Sequence, residues 1–128
     1  MIYIDYKDKR AIYEQVVERF ADLIVKGILE EDEKMPSVRS LAMELSINPN
    51  TIQRAYQELE RTGYIYSVAG KGSFVSARAD FITGKQTEVL QKLQTVIIEA
   101  QAVGITAEKM TEMISMIDNT TKKEGSRV

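Results

Sequence analysis

Apolar residues recur at helical spacing along most of the chain and take on strand character in two short stretches near its middle. From about Asp8 to Gly27, the residues Ile12, Val16, Phe20, Leu23 and Ile24 form one stripe, which predicts a helix stopped by Gly27. Before it, Ile2-Tyr3-Ile4 reads as a short strand or an ordered arm. Val38, Leu41, Ala42 and Leu45 sit at i, i+3, i+4 and i+7 and predict a short second helix. Pro36 holds Met35 extended ahead of it, and Ser37 offers an oxygen to a free amide of its first turn. Ser46-Ile47-Asn48-Pro49 interrupts the pattern, with Asn48 suited to cap a third helix and Pro49 to open it. That helix runs to about Arg61 and buries Ile52, Ala55, Tyr56 and Leu59, while Gly63 suits the left-handed position beyond its end.

Tyr64–Val68 and Ser73–Ser76 have strand character, and Ala69-Gly70-Lys71-Gly72 between them is a hairpin tip. Beyond Arg78, the segment Ala79–Gly84 reads as a hinge. A long helix follows from about Lys85 to Val103, with Val89, Leu93, Val96, Ile97 and Ala100 on one side. Gly104 ends it, Thr106 can cap a last helix, and Met110, Met113, Ile114 and Ile117 form a narrow stripe there. Asn119 to Val128 is a polar, frayed tail. The expected fold is therefore mainly α with a small β-hairpin. It comprises a winged helix-turn-helix domain over residues 1–79 and a two-helix segment with a polar tail over 80–128.

Composition removes several classes of chemistry. The 128 residues include no Cys and no His, which excludes disulfides, thiolate nucleophiles, thiolate metal sites and the commonest general base. Glu30-Glu31-Asp32-Glu33 is the sole acidic cluster, and consecutive acids diverge, so it reads as a solvated loop and not as a metal site. No catalytic constellation, metal or cofactor is expected. No apolar run is long enough to span a membrane and the N-terminus lacks the plan of a signal peptide, which points to the cytoplasm.

Charge adds a direction. Residues 34–78 carry Lys34, Arg39, Arg54, Arg61, Lys71 and Arg78 against Glu44, Glu58 and Glu60, a positive excess inside a chain of net charge −2. A basic middle in an acidic chain suggests one face for a polyanion. With its apolar stripe turned inward, the third helix presents Asn50, Thr51, Gln53 and Arg54 near its start. Asn and Gln can pair with adenine, Thr can meet a thymine methyl, and Arg can reach guanine or a phosphate. Ser37 and Arg39 lie toward the same side. Gly70 and Gly72 would let the hairpin backbone approach a duplex, with Lys71 supplying charge; ordinary turn chemistry explains the glycines equally well.

These residues carry a resemblance. Ile12-Tyr13-Glu14-Gln15-Val16, Lys34 to Ala42, Asn50 to Glu60, Gly63-Tyr64-Ile65 and Gly70 to Val75 resemble, with consistent spacing, the signature of GntR-family bacterial transcriptional regulators. The two-helix remainder and the Asn48-Pro49-Asn50-Thr51 turn are similar to the short YtrA-type branch. The resemblance implies operator contacts at Arg39, Asn48, Pro49, Asn50, Thr51, Gln53 and Gly70. Met35 stands where the family usually has Leu, and Ala69 before Gly70 leaves no side chain there to hydrogen-bond in the minor groove.

Two helices of this length cannot bury their stripes alone. A second copy of the chain can cover them, and so can the chain's own N-terminal domain. A dimer also suits a reader with a single helix per subunit, since an inverted repeat in double-stranded DNA shares its two-fold symmetry. The expected function is a homodimeric repressor binding such an operator. The alternative is a small-molecule-sensing or protein-interaction module, with an effector crevice at the dimer or interdomain interface; the methionines of the last stripe suit either a packed interface or an adaptable surface.

Overall fold

A computed structural model describes residues 2–125 of the protein; the last three residues of the expected polar tail lie outside the described residues. Three helices, α1 (Ile12–Val25), α2 (Val38–Leu45) and α3 (Pro49–Arg61), precede an antiparallel hairpin of β1 (Ile65–Val68) and β2 (Gly72–Val75). Its register pairs Ile65 with Val75 and Val68 with Gly72. A 3-10 turn at Arg78–Asp80 leads into two long helices, α4 (Ile82–Ala102) and α5 (Ala107–Gly125). This is a winged helix-turn-helix followed by a two-helix segment, as the hydrophobic pattern predicts.

Local chemistry sets most boundaries. The Ser37 hydroxyl accepts the Ser40 N–H at 3.1 Å to start α2, and Asn48 Oδ1 accepts the Asn50 N–H at 2.8 Å to start α3, with Pro49 in its first turn. Thr106 caps α5 through the Lys109 N–H at 3.2 Å. The first helix starts later than its pattern predicts, at Ile12 and not near Asp8. Asp8 turns its carboxylate back onto the Arg10 N–H at 2.9 Å, a local bond that competes with helix. The Arg10 guanidinium beside it holds the Asp8 carboxyl below the usual carboxylate range.

The core joins Val16, Phe20 and Ile24 of α1 to Leu41 and Ala42 of α2 and to Ile52, Ala55, Tyr56 and Leu59 of α3. Ile65 and Val75 of the hairpin, with Leu29, Met35 and Tyr64, close it. Gln15 is buried as well, although its sequence position offers no hint of it. Its amide donates to the Asp5 carbonyl at 3.0 Å and accepts the Asp5 N–H at 2.9 Å. The pair ties down the N-terminal segment, which is an ordered arm with no strand pairing.

Two further departures have clear causes. The acid-rich segment leaves its side chains in solvent, yet its backbone adds a third rung to the hairpin. Met35 N–H donates to Ser73 O at 2.8 Å, Val75 N–H to Glu33 O at 2.9 Å and Asp32 N–H to Val75 O at 2.8 Å. The expected hinge at Ala79–Gly84 is ordered: Phe81 is buried and stacks on Tyr64 with centroids 4.9 Å apart, and α4 already passes through Gly84. Burying an aromatic ring outweighs the freedom of a short glycine-containing link. At the far end α5 runs past Asn119 to Gly125, with the Thr120 hydroxyl bonded back to the Met116 carbonyl at 3.1 Å. The chain divides into two compact units, one reaching Gln86 and the other starting at Thr87.

Helix α3 ends in paired reverse bonds, Tyr64 N–H to Leu59 O at 2.9 Å and Gly63 N–H to Glu60 O at 3.1 Å, around Gly63 at φ +86°. A Cβ on Gly63 would lie 2.5 Å from the Asp80 carbonyl oxygen. Gly63→Ala therefore meets left-handed strain and a backbone collision together. Its expected cost is at least about 2 kcal/mol of stability, measured by denaturant unfolding. A loss below about 0.5 kcal/mol would contradict this close approach.

Candidate nucleic-acid interface

Burial of Ile52, Ala55, Tyr56 and Leu59 fixes the rotation of α3 about its axis. The opposite side then leaves Asn50, Gln53 and Arg54 exposed and Thr51 half-buried, all within the first turns of the helix. Tyr56 sets this rotation most firmly. Its ring meets Phe20 edge-on at 6.0 Å, and its hydroxyl donates to the Pro36 carbonyl at 2.7 Å, which ties α3 to the entrance of α2. Burial pushes the Tyr56 phenol pKa well above its ordinary value.

The predicted site residues fall into three groups, apart from Arg39, exposed in the first turn of α2, and Thr51, half-buried in the first turn of α3. Ser37 and Asn48 spend side-chain oxygens on caps, and Ser37 also donates to the Ser40 hydroxyl at 2.8 Å; both position helices, with Pro49 exposed beside Asn48. Asn50, Gln53 and Arg54 form the exposed face of α3. Gly70 and Gly72 form the hairpin tip at φ +76° and +113°, closed by the Lys71 N–H bonded to the Val68 carbonyl at 2.9 Å. A Cβ on Gly70 would meet nothing within 4 Å, so that glycine serves the turn itself.

The cations of the basic middle divide cleanly. Arg61 forks onto Glu58, holding that carboxyl below its usual range, while Arg78 donates to the Val25 carbonyl at 3.1 Å. Arg54 lies over the Tyr13 ring, its Cζ 3.8 Å from the centroid. Among the described residues, Lys34, Arg39 and Lys71 have no ion-pair or hydrogen-bond partner for their charged groups. Lys34 and Lys71 line a cleft of about 340 Å³ between the hairpin and the start of α2, with Ser37 and Ser73. Composition places Lys34 in the basic stretch but does not locate it in this cleft. The bridge that pairs Lys34 with Phe74 brings it there, and backbone pairing of that kind leaves no side-chain signature. A second groove, of about 420 Å³, runs past Tyr13, Asn48, Asn50, Thr51 and Arg54.

In the second unit, no described residue is buried. Val89, Leu93 and Val96 of α4 are 47, 48 and 57% exposed, and Met113, Ile114 and Ile117 of α5 are 48, 66 and 62% exposed. Ile97, Ala100 and Met110 are half-buried. No helix among the described residues is long and apolar enough to cross a membrane, and no group of carboxylates there converges as a metal site would require.

A three-helix head with a hairpin wing, a polar face at the start of its third helix and unpaired cations on its second helix and wing defines a winged helix-turn-helix DNA-binding regulator. Residues 12–75 match the gntR family of bacterial regulatory proteins. The chain belongs to the GntR family. It is 40% identical over 119 residues to the HTH-type transcriptional repressor YtrA of Bacillus subtilis (strain 168), spanning 91% of this chain and 92% of that one. The structure of a GntR family transcriptional regulator from Listeria monocytogenes superimposes with a TM-score of 0.74 at 36% identity, over 88% of this chain and 98% of that one. The AraR DNA-binding domain in complex with operator ORE1 gives a TM-score of 0.51 at 30% identity, over 57% of this chain and 89% of that one. These relatives are regulators and not enzymes.

Tyr56→Phe keeps the ring and strands the Pro36 carbonyl. We expect it to cost about 1–2 kcal/mol in denaturant unfolding. Because the folded state raises the Tyr56 pKa, its stabilisation is complete below about pH 10 and is lost as pH climbs further. The wild type should therefore lose stability more steeply than the Phe variant above that pH; parallel curves would contradict the assignment.

Proposed function

We propose that this protein is a transcriptional repressor that binds an inverted-repeat operator as a homodimer. One observation carries the DNA-reading part: Asn50, Gln53 and Arg54 stand exposed at the start of α3, and Arg39 and Lys71 are exposed as well, with charges that no carboxylate among the described residues neutralises. The first turns of α3 enter the major groove, Arg39 reads from the start of α2, and the hairpin tip places Lys71 and Lys34 against the phosphate backbone. The operator complex of the AraR DNA-binding domain and the repressor role of Bacillus subtilis YtrA support this reading.

Pairing of copies rests on the second unit. Its open apolar stripes on α4 and α5 need cover that the unit itself does not supply. A matching pair of helices from another copy provides that cover with two-fold symmetry. Joining two modest half-site contacts makes the second one effectively intramolecular, which multiplies affinity without new chemistry. DNA lies in the cytoplasm of a bacterial cell, where such a protein acts.

Selection of bound fragments from random duplexes tests the proposal directly. A palindromic consensus is the expected result; no enrichment above background would overturn it. On that consensus, Arg39→Ala should cost about 1–3 kcal/mol of discrimination between operator and random DNA. Lys71→Ala should weaken all duplexes alike and lower the salt slope by about one. Leu93→Glu with Ile114→Glu should yield a monomer by light scattering, with operator affinity falling by about a hundredfold or more.

A further inference from the structure

We infer that Tyr13 is a positioning residue for DNA binding, presenting Arg54 as a preset fork for a backbone phosphate at the groove beside the start of α3. The inference rests on the DNA-reading function proposed above. Tyr13 belongs to α1, well away in sequence from α3, and neither its periodicity nor its charge suggested a role at the interface.

The geometry supplies the argument. The Arg54 Cζ sits 3.8 Å above the Tyr13 ring centroid, closer than the 4.7 Å of the other such pair, Arg19 over Tyr3. A guanidinium engaged through its face keeps its donors free, because all five N–H groups lie in the plane and point outward from its edge. The stack therefore orients Arg54 without consuming what a phosphate needs. Glu58, one turn further along α3, is the carboxylate that could draw Arg54 away along the helix. Arg61 occupies it with two hydrogen bonds. Tyr13 and Arg54 both line the groove that also holds Asn50, Thr51 and Asn48, so the stacked pair borders the same space as the reading side chains.

An exposed arginine otherwise samples many rotamers, and ordering it on contact with DNA costs free energy. Tyr13 removes part of that cost before binding. Lysine at position 54 would keep the charge but lose both the planar stack and the bidentate edge. The duplex phosphate is the ligand to which this fork commits.

The test is a double-mutant cycle on the full chain, read as affinity for a selected operator and for random duplex across a salt series. Tyr13→Leu should weaken both duplexes by about three- to fivefold. Tyr13→Phe, which keeps the aromatic face, should bind as the wild type does. Arg54→Lys should lose at least as much as Tyr13→Leu, and Arg54→Ala should lower the salt slope by about one. In the Arg54→Ala background, Tyr13→Leu should cost nothing more. Equal loss from Tyr13→Leu with and without Arg54 would overturn the inference, as would a Phe variant that binds as poorly as the Leu variant. Should Tyr13→Leu fail to fold by circular dichroism, the Phe and Arg54→Lys arms decide alone: wild-type affinity for Arg54→Lys would overturn it. A wild-type protein with no affinity for any duplex would instead defeat the DNA-reading function itself.

Discussion

One aromatic side chain governs how the head of this protein meets its target. Tyr56 packs its ring against Phe20 of α1 and gives its hydroxyl to the Pro36 carbonyl at the mouth of α2. Three helices thereby share one fixed point. A helix whose buried stripe is pinned has no rotational freedom left, so the positions opposite the stripe are fixed as well. Asn50, Gln53 and Arg54 face outward because Ile52, Ala55 and Tyr56 cannot. Specific readout needs that rigidity, since an amide that wanders by an ångström no longer distinguishes one base edge from another.

The positive charges obey a division of labour that net charge conceals. Arg61 and Arg78 are absorbed by the fold, one by a carboxylate and the other by a helix-terminal carbonyl. Arg54 is held by an aromatic face, while Arg39, Lys34 and Lys71 stay open. An acidic protein can thus carry a basic face, because local pairing neutralises cations where they would be wasted.

Much of the architecture was legible in the chain, for reasons that differ by element. Ser37, Asn48, Pro49 and Gly63 act on neighbours a few residues away, so their roles follow from position alone. The stripe of α3 was equally plain, because Ile52, Ala55, Tyr56 and Leu59 bury without exception. What the chain does not display depends on partners distant in sequence. Gln15 looks like a surface residue until the Asp5 backbone closes on both ends of its amide. Glu33 to Met35 look like loop because their pairing with β2 uses backbone groups common to every residue. Lys34 and Tyr13 reach the candidate interface only through such long-range contacts, which periodicity cannot register. Helix α1 starts later than its apolar pattern suggests because Asp8 prefers its own turn to a helical one.

The Phe81 ring has a practical bearing on how the reading head can be isolated. A fragment ending at Ala79 would keep every helix of the head and both hairpin strands, yet strip the aromatic cover from Tyr64 and the carbonyl that Gly63 is shaped to admit. Trimming at that point opens a hole beneath the wing, whereas a cut beyond the first turn of α4 leaves the underside sealed.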